Sequence, residues 1–152
     1  MKKFNKVFVA GTWDFLHIGH QYLLWTAVNS LRRAGRGASK MVVIVARDEN
    51  VLRIKGKRPH FNQQERIDRI SREFLPNSEV KLGGDNLDEF FQTLADEKPD
   101  AIFLGYDQRL QFPAKLLEEL GIEIVRVGAF HPEFFKSSYF RPVALIPAEA
   151  GI

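Results

Sequence analysis

His17 and His20 lie three residues apart in the segment GTWDFLHIGH, residues 11–20. On the first turn of a helix this spacing puts both imidazoles on one face. A helix is expected to begin near Ile18 or Gly19, and its free N–H groups favour an anion there. Two imidazoles at that point can donate hydrogen bonds to phosphate oxygens and stabilise the charge that grows on phosphorus in a transition state. Two other readings compete with this one. The helix can simply be capped, with both histidines in solvent. A zinc pair is the other, but zinc needs at least a third ligand, and besides carboxylates only His60 and His131 remain to supply it. Phosphate binding is preferred, and no metal site is expected. Gly11 lets the backbone turn tightly and approach a ligand, with Thr12, Trp13 and Asp14 behind it.

Three further groups of residues carry charge or phosphate-binding donors. Residues 47–58 read RDENVLRIKGKR, with Lys55 and Lys57 bracketing Gly56. They form a basic loop, read functionally as a lid whose lysines neutralise a triphosphate or an acceptor phosphate, Lys55 foremost. Gly105-Tyr106-Asp107-Gln108 is a polar segment, in which Asp107 either frames a pocket or satisfies the N–H groups of its own turn. Ser137 or Ser138 can cap a short helix and offer donors to phosphate, with Arg141 adding charge on the same turn. Pro142 keeps such a helix short. Arg66 reads on its own as a surface arginine near Glu65 and Asp68.

These residues need elements to hold them. Short β-rich runs alternate with helical periodicity. Strands are expected over residues 6–10, 41–46, 79–82, 101–104 and 123–127. Leu23, Leu24, Ala27, Val28 and Leu31 share one helical face. Asn62, followed by Glu65, caps a helix carrying Ile67, Ile70 and Phe74, which Pro76-Asn77 ends. Leu87, Phe90, Phe91 and Leu94 mark another helix, and residues 113–120 a last one, stopped by Gly121. The pattern is an α/β fold of doubly wound, Rossmann-like type around a five-stranded parallel sheet. In the strand order 3-2-1-4-5, Gly11–Asp14 and Gly105–Gln108 flank the switch point where such sheets bind ligands.

The composition agrees. The chain has 152 residues, 45% hydrophobic and 27% charged, the balance of one ordinary globular domain. Its core is expected over residues 6–141, with a simple tail at 148–152. There is no cysteine, which excludes disulfides, a Cys-based zinc site and a thiol nucleophile. The apolar run behind the basic start, residues 7–10, is too short for a signal peptide, and no stretch approaches a membrane span. A cytoplasmic protein is expected. The net charge of +3 suits an anionic ligand. Its basic clusters, residues 32–40 and 53–58, are short, and nucleic acid is not the expected partner. A dinucleotide-dependent dehydrogenase is excluded, because G-x-G-x-x-G does not follow the first strand.

GTWDFLHIGH resembles the GTFDxLHxGH signature of the cytidylyltransferase-like nucleotidyltransferases, with Trp13 for the usual Phe. The resemblance runs over roughly residues 6–141. It implies transfer of a nucleotidyl group from an NTP, ATP or CTP, to a phosphate-bearing acceptor, with pyrophosphate released, Mg²⁺ on the nucleotide and no covalent enzyme intermediate. It gives His17 and His20 contacts to the NTP phosphates, Lys55 or Lys57 a phosphate in the KGK loop, and Arg66 of the ER pair a place on the acceptor side. It also places Asp107 beside the nucleotide or acceptor, and FKSSYFR, residues 135–141, on the β- and γ-phosphates. Phe140 there replaces an Ile. Within the family, ARDENV, KGKRP and PDAIFLGYDQ look most like the archaeal-type FAD synthases, which makes FMN the favoured acceptor. Their frequent C-terminal cysteines are absent here. Glycerol-3-phosphate cytidylyltransferase and phosphopantetheine adenylyltransferase are the alternatives. A homodimer is common in the family. A nucleotide-binding module without turnover is the contrasting reading, against which the intact histidine pair speaks.

Overall fold

Successive residues of a strand point to opposite faces, so a strand between two helical layers must be apolar on both. β1 (Lys6–Gly11) and β2 (Lys40–Val45) satisfy this condition. Val7, Val9, Met41, Val43 and Val45 enter one core, while Phe8, Val42 and Ile44 enter the other. The computed structural model describes residues 2–32, 39–74, 78–110 and 112–129. Ser137, Ser138, Arg141, His131 and the Pro76-Asn77 stop lie outside the described residues.

The remaining strands are β3 (Ser78–Leu82), β4 (Ala101–Leu104) and β5 (Glu123–Arg126). The sheet is parallel throughout with the order β3-β2-β1-β4-β5, as expected. Phe8 sits opposite Val42 on one side and Ile102 on the other, which fixes β1 at the centre. Helix α1 (Ile18–Asn29) buries Leu23, Leu24 and Ala27. No helix of the described residues is long and apolar enough to cross a membrane.

The segment after β2 departs from expectation. It is not a loop throughout, because α2 (Asp48–Lys55) occupies most of it. Asp48 and Glu49 lie in its first turn and Arg53 and Lys55 in its last, which complements the helix dipole. Gly56, at φ 82°, ends it and donates its N–H to the Leu52 carbonyl. Val51 is its one buried side chain, so no apolar stripe announced it. Lys55 is therefore anchored on the end of a helix rather than carried on a mobile lid.

α3 (Gln63–Phe74) follows directly. Its start is the expected capping box. Asn62 N–H donates to Glu65 Oε1 at 2.9 Å, and Glu65 N–H donates to Asn62 Oδ1 at 2.9 Å. Asp48 and Gln63 join the two helix starts by exchanging backbone-to-side-chain bonds of 2.9 and 3.2 Å. Arg66 is not on the surface; it is 0% exposed. Its Nε donates to the Phe61 carbonyl (2.9 Å), one terminal nitrogen to the Thr12 carbonyl (2.7 Å) and the other to Asp48 Oδ1 (2.6 Å). One planar fork thus binds the chain after β1, the start of α2 and the entry to α3. α4 (Leu87–Glu97) and α5 (Ala114–Glu119) cover the second face through Leu94 and Leu117.

Glu97, at the end of α4, ties two strands. It accepts from Lys6 Nζ at 3.0 Å and pairs with Lys81. The Lys81 bond, then the Lys6 bond, hold its carboxyl down to about 2 from the ordinary 4.5. A depressed carboxylate stabilises the fold above its unfolded pKa and loses that contribution as pH falls through its folded value. Glu97→Gln is therefore expected to lower unfolding free energy at neutral pH, with the gap to wild type narrowing as pH falls from 4.5 towards 2. Urea unfolding across that range checks it. A gap that does not change with pH would contradict the ion-pair account. Arg66→Met strands the Asp48 carboxylate and two carbonyls, and is expected to cost about 3 kcal/mol in the same assay. A cost below about 1 kcal/mol, the size of a single ordinary hydrogen bond, would mean that Arg66 is not the tie described here.

Candidate active site

The C-terminal ends of β1, β2 and β4 open into a cleft of about 880 Å³. It lies at the reversal of strand order, where β1 has β2 on one side and β4 on the other. Gly11, Thr12, Trp13, Asp14, His17, His20, Lys55, Gly105 and Asp107 all line it. Lys57 and Arg66 do not. The Arg66 fork, expected on the acceptor side, is buried and ties together the backbone behind the cleft.

His17 is the N-cap of α1. Its Nδ1 accepts from Gly19 N–H (3.1 Å) and His20 N–H (3.3 Å). Two helix-end donors that were expected to meet an anion directly are thus spent on this ring. Since Nδ1 is an acceptor, the ring proton of His17 belongs on Nε2. His20 shows the opposite arrangement. Its Nδ1 lies 2.8 Å from the Phe15 carbonyl, which can only accept, so Nδ1 carries the proton. Neutral His20 presents a lone pair at Nε2, whereas His17 presents a proton. The two rings stack at 3.7 Å with 18° between their planes. The two rings therefore differ: one donates as it stands, and the other donates only after taking up a proton. Burial pushes the His20 pKa down from 6.5, with the charge of His17 next in effect, and Lys55 also lowers it. The Phe15 carbonyl and Asp107 oppose this.

The glycines on either side have steric reasons. A Cβ on Gly19 would lie 3.1 Å from His17 Cε1, so the residue between the histidines must be small for His17 to fold back as a cap. A Cβ on Gly11 would lie 2.9 Å from Trp13 Cε2. Gly11 thus makes room for the Trp13 indole while lining the cleft. Trp13 is 3% exposed, donates Nε1–H to the Ile44 carbonyl at 3.0 Å, and stands edge-on behind His20 with centroids 5.4 Å apart. Its φ of 58° is a left-handed conformation that a bulky residue keeps only when its surroundings enforce it. Asp14 pins the chain before α3, its two oxygens accepting from His60 N–H (2.7 Å) and Phe61 N–H (2.9 Å).

On the far side of the histidines, Gln108 bridges two strand ends. Its Oε1 accepts from Gly105 N–H (3.1 Å) and its Nε2 donates to the Ala10 carbonyl (2.8 Å). Arg126 donates to the carbonyls of Gly105 (2.8 Å) and Gln108 (2.6 Å). Gln108 stood in the segment singled out from the sequence, although its bridging role did not. Arg126 had no sequence signal. Phe15, Asn50 and Ile54 also line the cleft and were not expected there.

Among the described residues, no three His, Asp or Glu side chains gather as a metal-holding group. Asp14 is spent on backbone N–H groups, which leaves the exposed Asp107 as the other cleft carboxylate. That donor set fits a Mg²⁺ ion carried in on substrate phosphates, which needs only one or two protein carboxylates.

Comparison with known proteins agrees with this geometry. Residues 8–142 match the family described as Cytidylyltransferase-like. The chain is 31% identical over 140 residues to a FAD synthase of Thermoplasma acidophilum, covering 90% of this chain and 91% of that one. It is 40% identical over 132 residues to a FAD synthase of Aciduliprofundum boonei, covering 82% and 79%. A crystal structure described as a lipopolysaccharide core biosynthesis protein from Thermoplasma volcanium superposes with a TM-score of 0.67 at 30% identity, over 84% of this chain and 99% of that one. The stacked histidines at a β1–α1 switch point thus sit in a chain that belongs to the cytidylyltransferase-like family.

Proposed function

We propose that the chain is an FMN adenylyltransferase, which joins FMN and ATP to give FAD and pyrophosphate. The observation that carries nucleotidyl transfer is the stacked His17–His20 pair, aimed into a cleft at the switch point. The names of the relatives support FMN and ATP as the pair of substrates.

In this reaction an FMN phosphate oxygen attacks the α-phosphorus of ATP in line. The bond from that phosphorus to the oxygen bridging to the β-phosphate breaks, and pyrophosphate leaves with the electron pair. His17 Nε2–H donates to a phosphate oxygen. The two N–H groups bonded to its Nδ1 polarise the ring and strengthen that donation. Phosphate charge beside His20 raises its pKa again, so Nε2 takes up a proton and donates while Nδ1–H stays on the Phe15 carbonyl. Lys55, at the end of α2, supplies a positive charge felt by His20. Asp107 would help to hold a Mg²⁺ ion brought in on the nucleotide, which would supply charge neutralisation over the triphosphate. Ser137, Ser138 and Arg141 complete the grip on the β- and γ-phosphates in this reading.

The test is FAD formation, followed with pyrophosphate release, from FMN with ATP or CTP, with glycerol 3-phosphate and phosphopantetheine as rival acceptors. FAD from FMN and ATP is expected. His20→Ala is expected to lower kcat by about 10²–10³, the usual loss for one transition-state donor. Lys55→Ala is expected to lower kcat/KM by about 10–100-fold, and Lys57→Ala by less than about threefold. Turnover of another acceptor in place of FMN, or full activity without the His20 imidazole, would overturn the proposal.

A further inference from the structure

Six large hydrophobic side chains of the described residues are exposed: Phe15, Ile54, Leu87, Tyr106, Leu116 and Leu120. Three of them, Phe15, Ile54 and Tyr106, line the same cleft. Ile54 is 72% exposed on the last turn of α2 and directly precedes Lys55.

Phe15 is held rather than loose. Its ring meets His60 at 5.1 Å and Phe61 edge-on at 5.5 Å, and Arg69 lies over the opposite neighbour Phe61 at 4.5 Å. Asp14 fixes the backbone of His60 and Phe61 from below. The Phe15 carbonyl accepts from His17 N–H (2.8 Å) as well as from His20 Nδ1. Phe15 is thus pre-organised and lies two residues before His17, so a ring seated on it loses little in ordering that side chain. Ile54 and Lys55 follow β2, and Phe15, which follows β1, packs against His60 and Phe61 beyond α2, whereas Tyr106 and Asp107 follow β4. In-line transfer needs donor and acceptor on opposite sides of the reacting phosphorus.

We infer that Phe15 and Ile54 are the specificity-determining residues of the acceptor subsite, selecting a phosphate monoester that carries a planar aromatic ring system, with its ring against these side chains and its phosphate towards Lys55. This inference rests on the FMN adenylyltransferase reading and names the contacts that make that acceptor preferred. A small polyol phosphate leaves both side chains in water and gains nothing from them.

The test is steady-state kinetics of FAD formation with Phe15→Ser, Ile54→Ser and Ile54→Leu, together with FMN binding by fluorescence quenching. Leu87→Ser, exposed on α4 and outside the cleft, is the control. Each serine variant is expected to raise the KM and Kd for FMN about tenfold, the loss of one buried apolar side chain, with KM for ATP unchanged. Ile54→Leu is expected to stay close to wild type. If wild type forms FAD and the serine variants keep their FMN constants, the inference fails while the proposed reaction stands. If they raise KM for ATP instead, these side chains serve the nucleotide base and the inference is overturned. If wild type turns over glycerol 3-phosphate and not FMN, the proposed reaction and the inference fall together.

Discussion

A carbonyl oxygen can only accept a hydrogen bond, and a backbone N–H can only donate one. Those two facts decide what the histidines offer a phosphate. The Phe15 carbonyl takes the Nδ1 proton of His20, and the N–H groups of Gly19 and His20 take the Nδ1 lone pair of His17. Each ring is left with one nitrogen facing the cleft, and the two nitrogens differ. A donor and a proton acceptor, stacked at 3.7 Å, make a pair that acquires charge as its ligand brings charge in. Such a site stays uncharged on one ring until substrate arrives, which limits the repulsion between two imidazoles and a lysine in an empty cleft.

The rest of the fold keeps those two nitrogens in place. β1 is central, with Phe8 packed between Val42 and Ile102, so the chain that leaves it cannot drift. Trp13 fills the space over Gly11 and backs His20. Arg66 holds the Thr12 carbonyl from the other side and links it to α2, the helix that carries Lys55. The buried guanidinium looks like a costly feature, and it is tolerated because every contact it makes is to a carbonyl or a carboxylate. Positioning and charge thus meet in one residue that never touches the cleft.

Much of this was legible in the sequence, for identifiable reasons. The strands were readable because two-sided burial writes continuous apolar runs such as MVVIV, and Asn62 with Glu65 announced the start of α3. The strand order and the position of the histidine pair followed as expected. Helix α2 was hidden, since Val51 is its one buried side chain and the rest of its sequence reads as charge. Arg66 read as a surface residue because an arginine between Glu65 and Asp68 resembles a solvated face, and nothing local shows that the distant Thr12 carbonyl and Asp48 carboxylate converge on it. Tautomers are invisible to residue type altogether. They depend on which backbone groups curl back onto each ring, and these are set by the cap geometry of α1.

The most direct measurement is the ¹⁵N spectrum of the two imidazoles in the ligand-free protein at neutral pH, assigned through His17→Gln and His20→Gln. The account predicts opposite tautomers, with the proton on Nε2 of His17 and on Nδ1 of His20. Two rings in the same tautomer, or rapid exchange between both forms, would contradict it and return the histidines to a pair of equivalent donors.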